Sequence, residues 1–149
     1  MKSSTLAVAA CFLSLASFGA QAATEPPALA PFYQFADAMN AGDMAKAAAV
    51  YTPSAMIIDE FAPHIWNSFG AWAHDADASF KAAGVTGLHI ALSPASFQNV
   101  DASHGYGVVP SVLTYKVKGK PTTEKGMFTF STAKEATGWK ITGWAWSTL

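Results

Sequence analysis

From Leu88 to its end the chain reads almost entirely as strand, and that long β-rich stretch limits the fold more than any other feature. Leu88–Val100 reads as a strand with a break at Ser93-Pro94, and Tyr106–Lys118, Thr123–Thr132 and Trp139–Thr148 follow, rich in aromatic and β-branched residues. Lys118-Gly119-Lys120-Pro121 is a hairpin turn signal, and Glu135–Gly138 is a second. Strands joined by short turns make an antiparallel meander. One face of such a sheet has to be covered, and only the N-terminal half can supply the cover.

That half reads as helical. Phe32, Phe35, Ala36 and Met39 recur at helical spacing, and Asn40-Ala41-Gly42 closes the segment. Asp43 can cap a second, Ala-rich helix running to about Tyr51, where Thr52-Pro53 stops it. Met56–Asp59 reads as a short strand. Ser68 or Asn67 can cap a third helix that carries Phe69, Trp72, Ala76 and Phe80 on one stripe and stops at Gly84. The expected fold class is α+β, with three N-terminal helices packed on a strongly curved antiparallel sheet.

The first residues read differently. Lys2 supplies a positive charge, Leu6–Phe18 is an apolar run too short to span a bilayer, and Ala20-Gln21-Ala22 offers a small-x-small cleavage site. The expectation is a signal peptide over residues 1–22, a short lead over 23–31 and one domain over 32–149, periplasmic or secreted. A rival reading takes Val8-Ala9-Ala10-Cys11 as a lipidation box, with almost no apolar run before it. Cys11 is the single cysteine, so the cleaved domain has no thiol for disulfides, zinc thiolates or a cysteine nucleophile. All nine basic residues are lysines; without Lys2, eight face ten acids, a net charge near −2. With no arginine and no strong positive field, nucleic acid is an unfavourable partner. Lys116, Lys118 and Lys120 cluster at a hairpin end and read as a solvated tip. No membrane association is expected once the leader is cut.

Asn40-Ala41-Gly42-Asp43, the strand ending at Asp59 and the closing Gly138-Trp139-Lys140-Ile141…Trp146-Ser147 together resemble the NTF2-like superfamily, and within it the SnoaL-like and ketosteroid isomerase-like branches. The resemblance implies a cone of three helices against a bent sheet, with a pocket between them and an outer sheet face that often makes a homodimer. The superfamily includes isomerases, cyclases, dehydratases, lyases and non-catalytic modules, so the fold leaves the chemistry open.

Strand parity indicates the pocket lining, because residues two apart share a face. Thr142, Trp144 and Trp146 alternate together in the last strand; Glu124, Gly126, Phe128 and Phe130 in the one before; Val109, Ser111, Leu113 and Tyr115 in the one before that. Phe35, Phe61 and Trp66 are expected to close the mouth or floor. This lining is mostly aromatic and suits a small hydrophobic or aromatic ligand. Each of these side chains is equally at home in a plain core.

Asp59 stands where the isomerases resembled here carry their proton-shuttling aspartate, and a carboxylate in a dry pocket becomes a better base near neutral pH. Glu60 is expected to point away. Tyr115 and His64 are the candidate assistants. The resemblance breaks at the two oxyanion donors: the tyrosine position reads Phe35 and the protonated-aspartate position reads approximately Gly126. Those donors are worth several kcal/mol at a developing oxyanion, so steroid isomerisation by that route is not expected. His64, His74, His89 and His104 have no metal-ligand spacing, and no phosphate loop, nucleophile elbow or dinucleotide fingerprint is present. No cofactor or metal is expected. Two function classes stay open: a cofactor-independent enzyme of isomerase, cyclase, dehydratase or lyase type, and a module of the same fold that binds a small ligand or dimerises without chemistry.

Overall fold

The computed structural model describes residues 25–149. The expected leader, its cleavage after Ala22 and Cys11 lie outside the described residues.

Three helices form where the apolar spacing predicts them. Helix α1 spans Ala30–Asn40, with Pro31 in its first turn, where the missing N–H costs nothing. Helix α2 spans Met44–Ala49, and the Asp43 side chain accepts from the Lys46 N–H as its cap. Helix α3 spans Phe69–Ala83; Ser68 caps its start by accepting from the Ala71 N–H, and Gly84 at φ 72° ends it in the left-handed conformation that glycine adopts without strain. Within the expected lead, Ala28 and Leu29 are already buried in the core.

The strands are β1 (Tyr51–Ile58), β2 (Ile65–Trp66), β3 (Val85–Leu92), β4 (Phe97–Val100), β5 (His104–Val117), β6 (Lys120–Glu135) and β7 (Gly138–Thr148). They form one sheet in the order β2-β1-β7-β6-β5-β3, with β4 paired to β5. Two expectations need correction. The sheet is mixed, because β1 runs parallel to β7 while the remaining pairs are antiparallel. The three helices are not one N-terminal group, since β1 and β2 precede α3. The chain from β1 to its neighbour β7 crosses the whole molecule, a long connection that permits parallel pairing. Helix α2 also ends two residues earlier than expected. Tyr51 begins β1 instead, because Val50 accepts from the Ile141 N–H at the β7 edge.

The core lies between the helices and the concave sheet face. Phe32 stacks on Phe130 at 4.2 Å and meets Phe128 edge-on at 5.2 Å, which docks α1 on β6. Asn40, the last residue of α1, reaches the free edge of β3: its amide donates to the Ile90 carbonyl (2.8 Å) and its carbonyl accepts from the Ile90 N–H (2.7 Å). The side chain thus supplies the pair of bonds that a further strand would make. Helix α1 and β3 are thereby held as two facing walls.

Candidate functional site

Between those walls is a cavity of about 310 Å³. Helix α1 contributes Phe35 and Met39, α3 contributes Trp72 and Phe80, and β3 contributes Val85, Leu88 and Ile90. Opposite them stand Leu113 and Tyr115 of β5, Glu124 and Phe128 of β6, and Trp144 and Trp146 of β7. The turn after β1 closes one end with Asp59, Glu60 and Phe61. The aromatic walls hold one another in place. Trp144 meets Trp72 edge-on at 5.2 Å and Phe128 at 5.4 Å, and its indole N–H donates to the buried Tyr51 hydroxyl at 2.8 Å. A cavity with rigid apolar walls and a few polar groups at one end is how small-molecule sites are built.

Asp59 follows β1 directly and is half-buried. Its Oδ2 accepts from the Trp72 indole N–H at 2.9 Å, and its Oδ1 accepts from the Glu60 backbone N–H at 2.8 Å. Burial pushes its carboxyl above the ordinary aspartate value; the two hydrogen bonds oppose this, and the nearby Glu60 and Glu124 carboxylates reinforce it. The result is a carboxyl group oriented by an indole and more basic than a surface aspartate.

Two further acids complete that end. Tyr115 donates its phenol proton to Glu124 Oε2 at 3.1 Å, and burial together with that carboxylate raises the phenol above its usual value. The Thr148 hydroxyl lies 2.9 Å from Glu124 Oε1 and in close contact with Glu60 Oε1, which also accepts from the Thr148 N–H at 3.0 Å. Asp59, Glu60 and Glu124 therefore converge on one end of the cavity. The lining includes no lysine or histidine. Among the described residues, no group of three or more His, Cys, Asp or Glu is arranged to hold a metal ion.

Of the residues expected from sequence, Asp59, Tyr115, Phe35, Phe61, Leu113, Glu124, Phe128, Trp144 and Trp146 line the cavity. Val109, Ser111, Trp66, His64, Gly126, Phe130 and Thr142 do not. Val109 and Ser111 face inward as parity requires, but both are fully covered, and the Ser111 hydroxyl is spent on the Val109 carbonyl at 3.1 Å. Trp66 stands behind Phe61, 4.7 Å from it, with its indole N–H on Asp75. His64 is exposed, at φ 74° in the turn, and its ring approaches the Asp59 backbone carbonyl at 3.2 Å rather than the carboxylate.

Other lining residues escaped the sequence reading. Glu60 was expected to point away and to be exposed; it is exposed, but β1 ends at Ile58, strand parity no longer applies, and it also borders the cavity. Val85, at odd spacing from Leu88 and Ile90, comes to line the same cavity because the register shifts between Thr86 and His89, where Gly87 has φ 65°. A glycine inside a strand pattern is the usual mark of such a bulge. A second register shift, at Ser131/Thr132, pairs Ile141 with Thr132; both are fully buried, whereas Thr142 is half-buried with its hydroxyl against Ser131 at 2.7 Å. Thr142 therefore leaves the face expected for it.

Gly126 stands at the position that resembles the isomerases' second oxyanion donor, and its neighbours make it more than a deletion. A Cβ built there would fall 2.4 Å from Trp146 Cη2 and 2.5 Å from the Ser147 carbonyl oxygen. Trp146 fills the space that a carboxyl group would need. At the other donor position, Phe35 is packed in the core with no polar atom.

No protein-family model matches the sequence, and no curated protein matches it. Solved structures do. A ketosteroid isomerase-like protein from Erwinia carotovora atroseptica superposes with a TM-score of 0.67 at 18% identity, over 83% of this chain and 94% of that one. An NTF2-like superfamily protein from Salmonella enterica serovar Typhimurium gives 0.67 at 13% identity, over 80% and 86%. A candidate scytalone dehydratase from Novosphingobium aromaticivorans gives 0.63 at 9% identity, over 80% of each chain. At these identities the likeness speaks for the fold alone. The chain has the NTF2-like fold.

Proposed function

We propose that this cavity binds a small, largely apolar molecule and that Asp59 moves a proton on it, in cofactor-independent chemistry of isomerase, cyclase, dehydratase or lyase type. The observation that carries this reading is the Asp59 carboxyl itself, held at the cavity wall by the Trp72 indole N–H and raised in basicity by burial. Tyr115, hydrogen-bonded to Glu124, is a second proton-bearing group of the lining. With Phe35 and Gly126 at the oxyanion positions, no steroid isomerase mechanism is included. The leader supports export to the periplasm or the exterior, and exposed Met56, Ile58 and Ile65 on the β1–β2 edge support self-association.

Native mass spectrometry of the protein isolated from its own source identifies the bound molecule. Turnover of that molecule by wild type and Asp59→Asn then tests the role. A loss of about 100-fold or more is expected for a general base. Unchanged turnover refutes the role of Asp59.

The second reading, a binding module without chemistry, is favoured by the Trp146 ring that fills the space beside Gly126. Retention of an unaltered ligand through many hours with wild-type protein supports it.

A further inference from the structure

The charge of the cavity lining specifies more than an apolar ligand. Asp59, Glu60 and Glu124 meet at one end, and no basic side chain lines any part of the cavity. Among the described residues, the four ion pairs involve Asp43, Asp75, Asp77 and Asp101, so none reaches these three acids. The donors that do reach them are neutral: the Trp72 indole, the Tyr115 phenol, the Thr148 hydroxyl and backbone N–H groups. Asp59 and Glu124 are half-buried and Glu60 is exposed, and a positive charge placed among these three carboxyl groups is attracted to each of them.

The walls beside the acids are aromatic. Trp72 touches Asp59 through its N–H, and the Trp146 ring covers Gly126, two residues from Glu124 on the same face of β6. Indole faces attract cations, best when water is displaced. A carboxylate ligand would meet the opposite: repulsion from the acids and no positively charged partner.

Resting on the reading of this cavity as a ligand site, the geometry points to a cationic ligand, a small molecule with an apolar or aromatic body and one ammonium group seated at the carboxylates of Asp59, Glu60 and Glu124, on the side of the cavity lined by Trp146. The apolar body lies toward Met39, Phe80, Val85 and Leu88, on the helix and β3 side of the cavity.

Isothermal titration calorimetry at low salt with a matched series tests this: naphthylmethylammonium, naphthylmethanol and naphthoate share one body and differ in charge. The ammonium compound is expected to bind at least about tenfold more tightly than the alcohol, and the carboxylate most weakly. Glu124→Gln and Glu60→Gln are each expected to weaken the ammonium compound severalfold more than they weaken the alcohol, with circular dichroism reporting that each variant is folded. Equal affinity for ammonium and alcohol, preference for naphthoate, or no binding by any of the three overturns the inference. Turnover by Asp59→Asn is a separate readout, so ligand charge and proton transfer fail independently.

Discussion

Alanine at position 126 is the sharpest structural test of the site. The added methyl would lie 2.4 Å from Trp146 Cη2, 2.5 Å from Cζ2 and 2.5 Å from the Ser147 carbonyl oxygen. Carbon atoms rest at about 3.5–4.0 Å from one another, so the ring has to retreat by roughly 1 Å or more. It has little room to do so, because Trp146 is 8% exposed and packs on Phe128 at 4.6 Å. The Ser147 oxygen belongs to the strand backbone and moves only with β7. Overpacking typically costs about 1–3 kcal/mol, and a backbone contact puts this case at the upper end, near 3 kcal/mol. Urea unfolding followed by tryptophan fluorescence should show the midpoint lowered by about 1–2 M with an unchanged slope. Trp146→Phe removes the ring atoms that reach Gly126, so in that background the cost of Gly126→Ala should fall by about 1 kcal/mol, leaving the Ser147 clash. A Gly126→Ala variant within about 0.5 kcal/mol of wild type, or an equal cost in both backgrounds, refutes the packing of Trp146 over Gly126. The same contact means that Gly126→Asp cannot restore an isomerase-type donor in one step.

Two other outcomes follow from single contacts. Because burial raises the Asp59 carboxyl above its ordinary value of 3.8, its contribution to stability is fully present below the unfolded pKa and is lost as pH rises through the folded pKa. The stability of Asp59→Asn relative to wild type should therefore increase as pH is raised from about 3.8 toward neutral, measured by urea midpoints across that range; a flat difference contradicts the raised pKa. Asn40→Ala strips two hydrogen bonds from the Ile90 backbone at the β3 edge and should cost about 2 kcal/mol in thermal unfolding, with faster amide exchange at Ile90.

Local chemistry made much of the fold legible. Asp43, Ser68 and Gly84 cap or stop helices as their residue types require, and the Lys118–Pro121 segment turns the β5–β6 hairpin. Parity located Leu113, Tyr115, Phe128, Trp144 and Trp146 on the cavity side because β5, β6 and the end of β7 run without a break there. Parity failed where the ladder slips, at Thr86/His89 and Ser131/Thr132, and where β1 ends one residue short of Asp59. His64 illustrates a different limit: nearness in sequence to Asp59 brought its ring to the backbone carbonyl and away from the carboxylate.

The sequence alone determined the caps of α2 and α3 and the stop of α3, the strand-rich half, the class of fold, and the presence of an aspartate beside aromatic residues, because caps, turns and side-chain periodicity act over a few residues. Only the tertiary structure decided that β1 joins β7 in parallel, that Val109 and Ser111 are covered, that Trp146 occupies the space at Gly126, and that Glu60 enters the lining and comes beside Glu124 at the Asp59 end of the cavity. Glu60 and Glu124 are 64 positions apart in the chain (124 − 60). The Thr148 hydroxyl brings them together across strand ends that meet only when the sheet bends and closes on its helices. Contacts of that kind depend on register and curvature, which are properties of the whole sheet and of no single segment.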